Sequence, residues 1–394
     1  MEERGNKNVR DVILSCQGGR HRVRLGRGLR FWRSARCPRC RSAVDPTRIL
    51  RTLRWWANLL RPASAAWTHR AVWVAAASYV ALAVSAALLL WTLSDRWWPV
   101  TVLLFGPRWT LLLPLVLLIP TALIWDRSLV TPLVLAGLVI LGPVMGFRTG
   151  WRTLLPRGEA VDDLRVVSFN AAGGSSLHLP PSELLARWSG DIVAFQECGQ
   201  VLAEGLRQVP GWQVDSQSRL CLASRFPIRE AHKMDRDALA FAGGSGLVIT
   251  YRLDVHGVPV HVTNVHLETP RAGFELLRSG RLAAGIPKTR EKSLLRDVEL
   301  RRARLWVERF DGPHLILGDF NTPPESRSYR KAWGDWQNAF SLTGRGLGGT
   351  RLNGWIRARI DHIVSDHQWT VIRSWLGEDM GSDHLPILAV VRLR

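Results

Sequence analysis

Cysteine, tyrosine and methionine are scarce in this sequence. Its 394 residues include 5 Cys, 3 Tyr and 4 Met. So few cysteines exclude a small secreted scaffold held together by many disulfides. Acidic residues are also outnumbered, with 33 Asp and Glu against 53 Lys and Arg, which gives a formal net charge of +20. Because 46% of the residues are hydrophobic, wholesale disorder is excluded, and the length favours two or three domains.

The excess positive charge is concentrated at the N-terminus. Residues 1–70 hold 17 Lys or Arg and 4 Asp or Glu, a net charge of +13, which leaves +7 for the other 324 residues. A protein that binds nucleic acid non-specifically needs basic residues along its binding groove. The charge therefore defines a basic head, residues 1–70, and does not by itself predict a nucleic-acid groove further along the chain.

Three long runs without charge follow the basic head, at residues 71–92, 109–125 and 128–147. A helix that crosses a bilayer needs about 20 apolar residues, so the first and third runs are long enough. The second run is shorter and contains Pro114 and Pro120. Aromatic rings that favour the headgroup region lie near the ends of these runs, at Trp91, Trp97, Trp98, Trp109, Trp125 and Trp151. Residues 71–147 are therefore predicted to form three transmembrane helices rather than buried helices of a soluble core.

The charge pattern also predicts an orientation. The first apolar run begins about 70 residues into the chain, too far for a secretory signal peptide. The basic head before it should stay in the cytoplasm, because Lys and Arg resist translocation. Three spans would then place the C-terminal domain outside the cytoplasm. The expectation is a multi-pass protein of the cell membrane, and it depends on the second run crossing completely.

The head carries a cysteine and histidine pattern at Cys16, His21, Cys37 and Cys40. It resembles a short bacterial zinc ribbon, CxxC…CPxC, with Gly19 in place of the second cysteine. The resemblance implies Zn²⁺ held by these four side chains, since structural zinc takes four N or S ligands. The alternatives are a degenerate ribbon without metal, or a basic tail that lies on anionic lipid headgroups.

The pattern changes after the apolar runs. Residues 148–162 read as a polar linker, and residues 163–394 alternate short β-rich runs with loops. Helices are predicted at 181–188, 201–209 and 293–310, among nine short strands. This pattern predicts an α+β domain, a two-sheet β-sandwich flanked by helices.

Polar side chains stand at the ends of several predicted strands. A single aspartate in such a place is usually a turn former. Several carboxylates, amides and imidazoles delivered in this way predict one site on a single sheet rim. The residues concerned are Asn170, Gln196, Glu197, His266, Asp319, Asn321, Asp361, Asp383 and His384.

The order of these blocks resembles the endonuclease/exonuclease/phosphatase superfamily over roughly residues 163–394. The resemblance implies the sandwich fold and hydrolysis of phosphate esters with Mg²⁺ or Mn²⁺. The three-span anchor before the domain is similar to bacterial membrane-bound members linked to glycopeptide resistance. The motifs that carry the resemblance are LRVVSFN at 164–170, FQE at 195–197, ASRFP at 223–227, HLE at 266–268, GDFN at 318–321, RIDHI at 359–363 and SDHLP at 382–386.

The resemblance also implies roles for the metal site and the base. Glu197 would hold the divalent metal, helped by Asn170, because hard cations prefer oxygen ligands. His384 would be the general base that activates the attacking water. Asp383 or another carboxylate would fix its tautomer, as in other pairs of a base and an orienting acid.

Four further residues receive roles around the phosphate. Asp319 would align the nucleophile and Asn321 would contact the scissile phosphate. Asp361 and His266 would bind the phosphate and help to stabilise or protonate the leaving oxygen. In-line attack places growing charge on these oxygens, which donors and a metal stabilise.

The anchor favours a lipid phosphate or pyrophosphate as substrate over nucleic acid, with the lipid bilayer itself as a partner and no protein partner predicted. Two alternatives stay open: a nuclease of the same fold, and a catalytically inactive membrane adaptor. Cys198 and Cys221 would form a disulfide in an extracytoplasmic domain, or serve equally well as small core residues.

Overall fold

A computed structural model describes residues 11–16, 19–24, 65–154, 158, 160–353 and 356–394. It contains two compact units: one combines residues up to Ala75 with Pro120–Val130, and the other combines Ala76–Ile119 with Thr131–Arg394. Near the start, β1 (Asp11–Cys16) and β2 (Gly19–Arg24) form an antiparallel hairpin. Cys37 and Cys40 lie outside the described residues, so zinc binding by the head remains a prediction.

Apolar helices follow the head, as the uncharged runs predict. Within the described part of the chain, three helical stretches are long and apolar enough to cross a membrane: Trp67–Leu93, Arg108–Trp125 and Arg127–Val144. The second starts as a 3₁₀ turn and carries Pro120 inside its helix, the irregularity expected from its two prolines. The helices of this region are α1 (Ala65–Leu93), α2 (Trp98–Phe105), α3 (Leu115–Trp125) and α4 (Val130–Val139), with 3₁₀ turns at Arg108–Leu112 and Arg127–Leu129 and a π-helical turn at Ile140–Val144.

The C-terminal part alternates strands and helices. Its helices are α5 (Pro181–Trp188), α6 (Gln200–Arg207), α7 (Asp237–Phe241), α8 (Arg271–Arg278), α9 (Leu282–Val307), α10 (Arg327–Trp333) and α11 (Ala339–Thr343). Its strands are β3 (Arg148–Thr149), β4 (Leu164–Asn170), β5 (Ile192–Gln196), β6 (Gln213–Gln217), β7 (Leu220–Ser224), β8 (Ile228–Lys233), β9 (Leu247–Val255), β10 (Val258–His266), β11 (His314–Asp319), β12 (Gln337–Asn338), β13 (Arg345–Gly346), β14 (Arg351–Asn353), β15 (Ile356–Ala358), β16 (Asp361–Ser365), β17 (Trp369–Leu376) and β18 (Ile387–Leu393).

Two six-stranded sheets form the frame, which confirms the predicted sandwich. Among the described residues, one sheet has the order β17-β18-β4-β5-β7-β6 and the other β12-β16-β11-β10-β9-β8. Fully buried side chains such as Val166, Tyr251 and Leu315 fill the space between them. Each large apolar side chain buried in this way contributes about 1.5–3 kcal/mol.

Helices cover the outer faces of both sheets. Trp188 of α5 and Leu202 of α6 pack on the first sheet, and Leu300 of α9 and Trp333 of α10 pack on the second. The predicted helix 293–310 in fact begins at Leu282. Gly285, which resembles a helix breaker in the sequence, is needed there because an added Cβ would lie 2.8 Å from the Leu277 side chain of α8.

The predicted linker contains structure of its own. Arg148–Thr149 pairs antiparallel with Arg345–Gly346, so the chain joins the C-terminal domain immediately after the third apolar helix. The polar character of this stretch suits a short edge pairing as well as a free linker, which is why the sequence alone does not distinguish them.

Candidate active site

Strand topology brings the predicted site residues to one edge of the sandwich. β4 and β5 are parallel, as are β10 and β11, so their carboxyl ends point the same way. β16 runs antiparallel to β11 and therefore begins where β11 ends, with Asp361 opposite Asp319. β18 runs antiparallel to β4, which places the preceding SDH motif at the same edge. The side chains collected there are Asn170, Glu197, His266, Asp319, Asn321, Asp361, Asp383 and His384.

A buried histidine and aspartate form the centre of the site. Nδ1 of His384 lies 2.8 Å from Oδ2 of Asp361, and the two side chains are 2% and 1% exposed. Nε2 of His384 lies 3.8 Å from Asp319 and 3.9 Å from Asp383. Asp383 is 43% exposed and pairs with Arg351. Asp361, rather than the adjacent Asp383, is thus the carboxylate that orients the imidazole.

The electrostatics of the dyad follow from its surroundings. Burial alone lowers the pKa of His384, but the carboxylates of Asp361 and Asp319 outweigh it and raise the pKa to about 9. The pKa of Asp319 is raised as well, first by its burial and then by Asp361. A buried site with this many carboxylates favours the arrival of positive charge.

Hydrogen bonds hold Asp319 and the turn after it. Oδ1 of Asp319 accepts from the backbone N–H of Asn321 at 2.8 Å, and Oδ2 accepts from the Asn170 amide at 3.1 Å. The side chain of Asn321 donates to the Leu267 carbonyl at 2.9 Å. Asn321 therefore joins the ends of β11 and β10, and its reach toward a phosphate remains a prediction.

Glu197 lies next to the same cluster. The Asn170 amide nitrogen donates to Oε1 of Glu197 at 3.2 Å, while its oxygen accepts from the backbone N–H of Ala172. Nε2 of His266 lies 3.8 Å from both Glu197 and Asp319. Two carboxylates thus face each other across an amide and an imidazole, with Asn170 as the shared donor.

The donor set fits a hard divalent cation. The ligand atoms of Asp319, Asp361 and His384 all lie within 4.8 Å of one another. Oδ1 of Asp361 is buried and has no hydrogen-bond partner among the described residues, an arrangement that is costly without a cation or water. Glu197 and Asp319, bridged by Asn170, offer a second set of oxygens of the kind that Mg²⁺ and Mn²⁺ prefer.

Glu197 is held in an uncommon backbone conformation. Its φ is +48°, in the left-handed region that non-glycine residues rarely occupy. Its carbonyl accepts from Gly173, and the next residue, Cys198, donates its N–H to the Arg219 carbonyl at 2.8 Å. Cys198 also forms a disulfide with Cys221, which answers the alternative left open by the sequence. The disulfide clamps the predicted metal ligand against the β6–β7 turn.

Two interactions that tie the site together were not predicted as pairs from the sequence. Asn264 of β10 accepts from Gln196 at 2.8 Å and donates to the carbonyls of Phe195 and Cys221, so it joins the two sheets directly behind the site. Ser382 donates to the Asn170 carbonyl at 2.7 Å and fixes the SDH turn to β4. Ser382 belongs to the SDHLP motif and Asn264 is an ordinary strand residue in the sequence, but only the fold brings each of them to its partner.

Two arginines at the rim were also missed. Arg351 pairs with Asp383 at 2.6 Å, and Arg219 lies 3.9 Å from Glu197. Arg219 is largely exposed and Arg351 is partly buried, so both guanidinium groups can meet an anionic substrate. No spacing or motif distinguishes them from the other arginines of this basic chain.

The fold and the site together define a hydrolase of phosphate esters. The sequence profile of the endonuclease/exonuclease/phosphatase family matches residues 167–384, more than half of the chain, and the chain belongs to that family. No curated protein sequence matches the chain.

Several solved structures are similar to part of this chain at low sequence identity. A humanized D. rerio TDP2 is 15% identical, covers 59% of this chain and 99% of its own, and superposes with a TM-score of 0.47. The mannosyl-6-phosphatase Bt3783 of Bacteroides thetaiotaomicron is 16% identical over 58% of this chain and 100% of its own, with a TM-score of 0.43. A family protein from Beutenbergia cavernae is 18% identical over 59% and 72%, with a TM-score of 0.42.

Proposed function

We propose that the protein is a membrane-anchored, divalent-metal-dependent phosphoesterase that hydrolyses a phosphate ester or pyrophosphate of a lipid. The observation that carries the proposal is the buried His384–Asp361 pair, set beside two further carboxylates in a domain that contacts the ends of the candidate spans. A domain with no hydrolytic role has no need to bury these charges together, because burial of each is costly.

In the proposed reaction, Nε2 of His384 takes the proton of the attacking water. Asp361 accepts a hydrogen bond from the Nδ1–H group, holds the ring in the required tautomer and stabilises the imidazolium that forms. Asp319, 3.8 Å from Nε2, orients the water toward the phosphorus. The bond from the water oxygen to phosphorus forms as the ester bond opposite breaks, and the leaving oxygen departs on the side of His266.

The remaining site residues would bind the cation and neutralise the negative charge of the phosphate. Glu197 and Asp319, with Asn170 between them, would hold the divalent cation. When bound, the cation would neutralise the phosphate oxygens and offset the carboxylates that raise the pKa of His384. Arg219 and Arg351 at the rim would pair with the oxygens that do not react.

Two features support a lipid substrate on the outer side of the membrane. Contacts of the spans with the domain keep the site close to headgroups, so a lipid is present at high effective concentration. The Cys198–Cys221 disulfide suits an oxidising compartment outside the cytoplasm. The basic head followed by three spans predicts the same location for the C-terminal domain. Outside the cytoplasm, the accessible phosphates are those of surface lipids and cell-wall lipid carriers.

The test compares substrates under one condition. Full-length protein in vesicles that contain a prenyl pyrophosphate or a phospholipid is incubated with Mg²⁺, beside plasmid DNA at the same phosphate concentration. We expect release of phosphate or headgroup from the lipid and little nicking of DNA. His384→Ala is the control for contaminating activity. Rapid nicking without lipid turnover would replace this proposal with a nuclease.

A further inference from the structure

We infer that Arg108 is a positioning residue for the catalytic dyad, acting through Glu325 and Arg359, so that the active site is fully ordered only when the candidate spans hold the domain. The inference rests on the proposed hydrolytic function of the site. It is carried by a buried series of ion pairs that runs from the apolar helices through Glu325 to Arg359, two residues before β16.

This series of ion pairs begins at the first residue of the second candidate span. Arg108 is the first residue of that span and is 9% exposed. Its Nη1 donates to the Val144 carbonyl at 2.6 Å and to Oε2 of Glu325 at 3.2 Å. Val144 ends the third candidate span. One guanidinium group therefore joins the ends of two spans to the hydrolase domain.

Glu325 is the central member of this series of ion pairs. Its Oε1 accepts from Nη2 of Arg359 at 3.2 Å, so a guanidinium group lies at each carboxylate oxygen. Burial raises the pKa of Glu325, but Arg108 and Arg359 lower it by more. Gly146, with φ +76°, lies so close that an added Cβ would be 2.0 Å from Oε1. Glycine at this point leaves space for the carboxylate directly after the third span.

Arg359 carries the connection to the dyad. Its side chain is 2% exposed, and within the described structure Nε and Nη1 have no hydrogen-bond partner. Glu325 is thus the group that compensates this buried cation. Asp361, the partner of His384, follows only two residues later, at the start of β16 and within about 7 Å of chain length. If Arg359 shifts after the loss of its partner, the shift should reach Asp361, because a close-packed interior has little room to absorb it.

A second contact at the same junction provides a matched control. Oδ2 of Asp95, in the loop after the first span, accepts from the Ser326 hydroxyl at 2.8 Å and from the Ser328 N–H at 3.0 Å. These residues begin α10, which packs on the outer face of the second sheet through Tyr329 and Trp333. This contact also holds the domain to the apolar region, but it runs through α10 and bypasses the ion pair of Glu325 with Arg359.

The experiment uses full-length protein in lipid nanodiscs and the soluble probe bis(4-nitrophenyl) phosphate with Mg²⁺. A soluble probe reports the chemistry of the site and does not need correct presentation by the membrane. We expect Glu325→Gln and Arg108→Met to lower kcat by at least about tenfold with little change in KM, since small misplacements of catalytic groups cost up to roughly 100-fold. Arg108→Lys should recover part of the loss, and Asp95→Asn should stay within about twofold of wild type.

Hydrogen exchange provides the second measurement. Arg108→Met should speed exchange of the β16 amides, 361–365, while leaving those of β4 unchanged. Unchanged kcat with unchanged β16 exchange would overturn the inference, as would an equal loss in Asp95→Asn. If the wild-type protein hydrolyses no phosphoester at all, the proposed function fails, and the exchange measurement still decides whether Arg108 orders the strand that carries Asp361.

Discussion

Oδ2 of Asp361 lies 2.8 Å from Nδ1 of His384, although the two residues are 23 positions apart in the chain. The contact leaves Nε2 of the imidazole on the side of Asp319, 3.8 Å away. It also explains how a ring buried among carboxylates keeps one tautomer, because the Nδ1 proton has one near acceptor.

We expect Asp361→Asn to lower turnover by about 10²- to 10⁴-fold, since the amide neither holds the tautomer nor stabilises the imidazolium. Turnover of a soluble phosphodiester by purified full-length protein measures this, with thermal unfolding as a check on folding. Glu378→Gln is the matched control, because that exposed carboxylate pairs with Arg187 on the surface. A larger loss of turnover in Asp383→Asn than in Asp361→Asn would contradict the prediction and show that Asp383 orients the imidazole.

Glu197→Gln should raise the Mg²⁺ concentration needed for half-maximal activity by at least about tenfold, because a metal ligand loses its charge. The measurement is a Mg²⁺ titration of the hydrolysis rate after removal of metal with a chelator. Glu204→Gln on α6, where the carboxylate accepts from Gln200, is the control. Identical titration curves for wild type and Glu197→Gln would place the metal elsewhere, for example at Asp319 and Asp361.

Replacing Cys198 and Cys221 together by serine should lower the free energy of unfolding by about 3 kcal/mol, the value for a loop closed over 23 residues. It should also raise the Mg²⁺ concentration needed for half-maximal activity, because the disulfide holds Cys198 directly after Glu197. Thermal unfolding with and without a reductant measures the first effect. The reductant should have no effect on the double variant, which separates this disulfide from the cysteines of the head. Wild-type protein that is insensitive to reductant would contradict the prediction.

The C-terminus is expected outside the cytoplasm, since the basic head precedes three candidate spans. A reporter that is active only in the cytoplasm, fused after Arg394, should be inactive. A second fusion in the head, after residue 62, should be active and shows that the reporter works in this protein. Strong activity of the C-terminal fusion would mean that Arg108–Trp125 does not cross.

Stability should decrease as the pH falls from about 6.5 to 4. Burial lowers the pKa of His314 to about 4, helped by the neighbouring His261, and burial likewise lowers the pKa of His362 to about 4. The unfolded chain takes up these protons first, so each group removes up to roughly 3 kcal/mol across this interval. Unfolding temperatures at pH 7 and pH 4.5 measure the slope, and His314→Asn should flatten it. An equal slope in that variant would exclude His314 as a source.

The site residues at the strand ends could be predicted from the sequence, because they belong to short motifs that resemble those of the family. Asn170, His266, Asp319 and His384 lie where the pattern of apolar strands and polar ends predicts. The edge strands β6 and β8 were not predicted, since their residues are polar and partly exposed, as Gln213–Gln217 shows. An edge strand buries the side chains of one face at most, so its sequence resembles that of a loop.

Contacts between distant parts of the chain could not be predicted in the same way. Arg108 and Glu325 are 217 positions apart, and nothing in the sequence separates either from other charged residues near helix ends. The choice of Asp361 over Asp383 as the partner of His384 is similar. Each lies inside a motif, Asp361 in RIDHI and Asp383 in SDHLP, and only the antiparallel register of β11 and β16 decides which carboxylate reaches Nδ1.

The position of β18 has a consequence for biosynthesis. Ile387–Leu393 lies between β17 and β4, in the interior of the first sheet, and His384 stands just before it. While the ribosome is still adding these residues, the rest of that sheet lacks an inner strand and exposes the flank of β4. The first sheet therefore closes only after the residues of β18 have been added, and the flank of β4 that pairs with β18 stays unpaired until then.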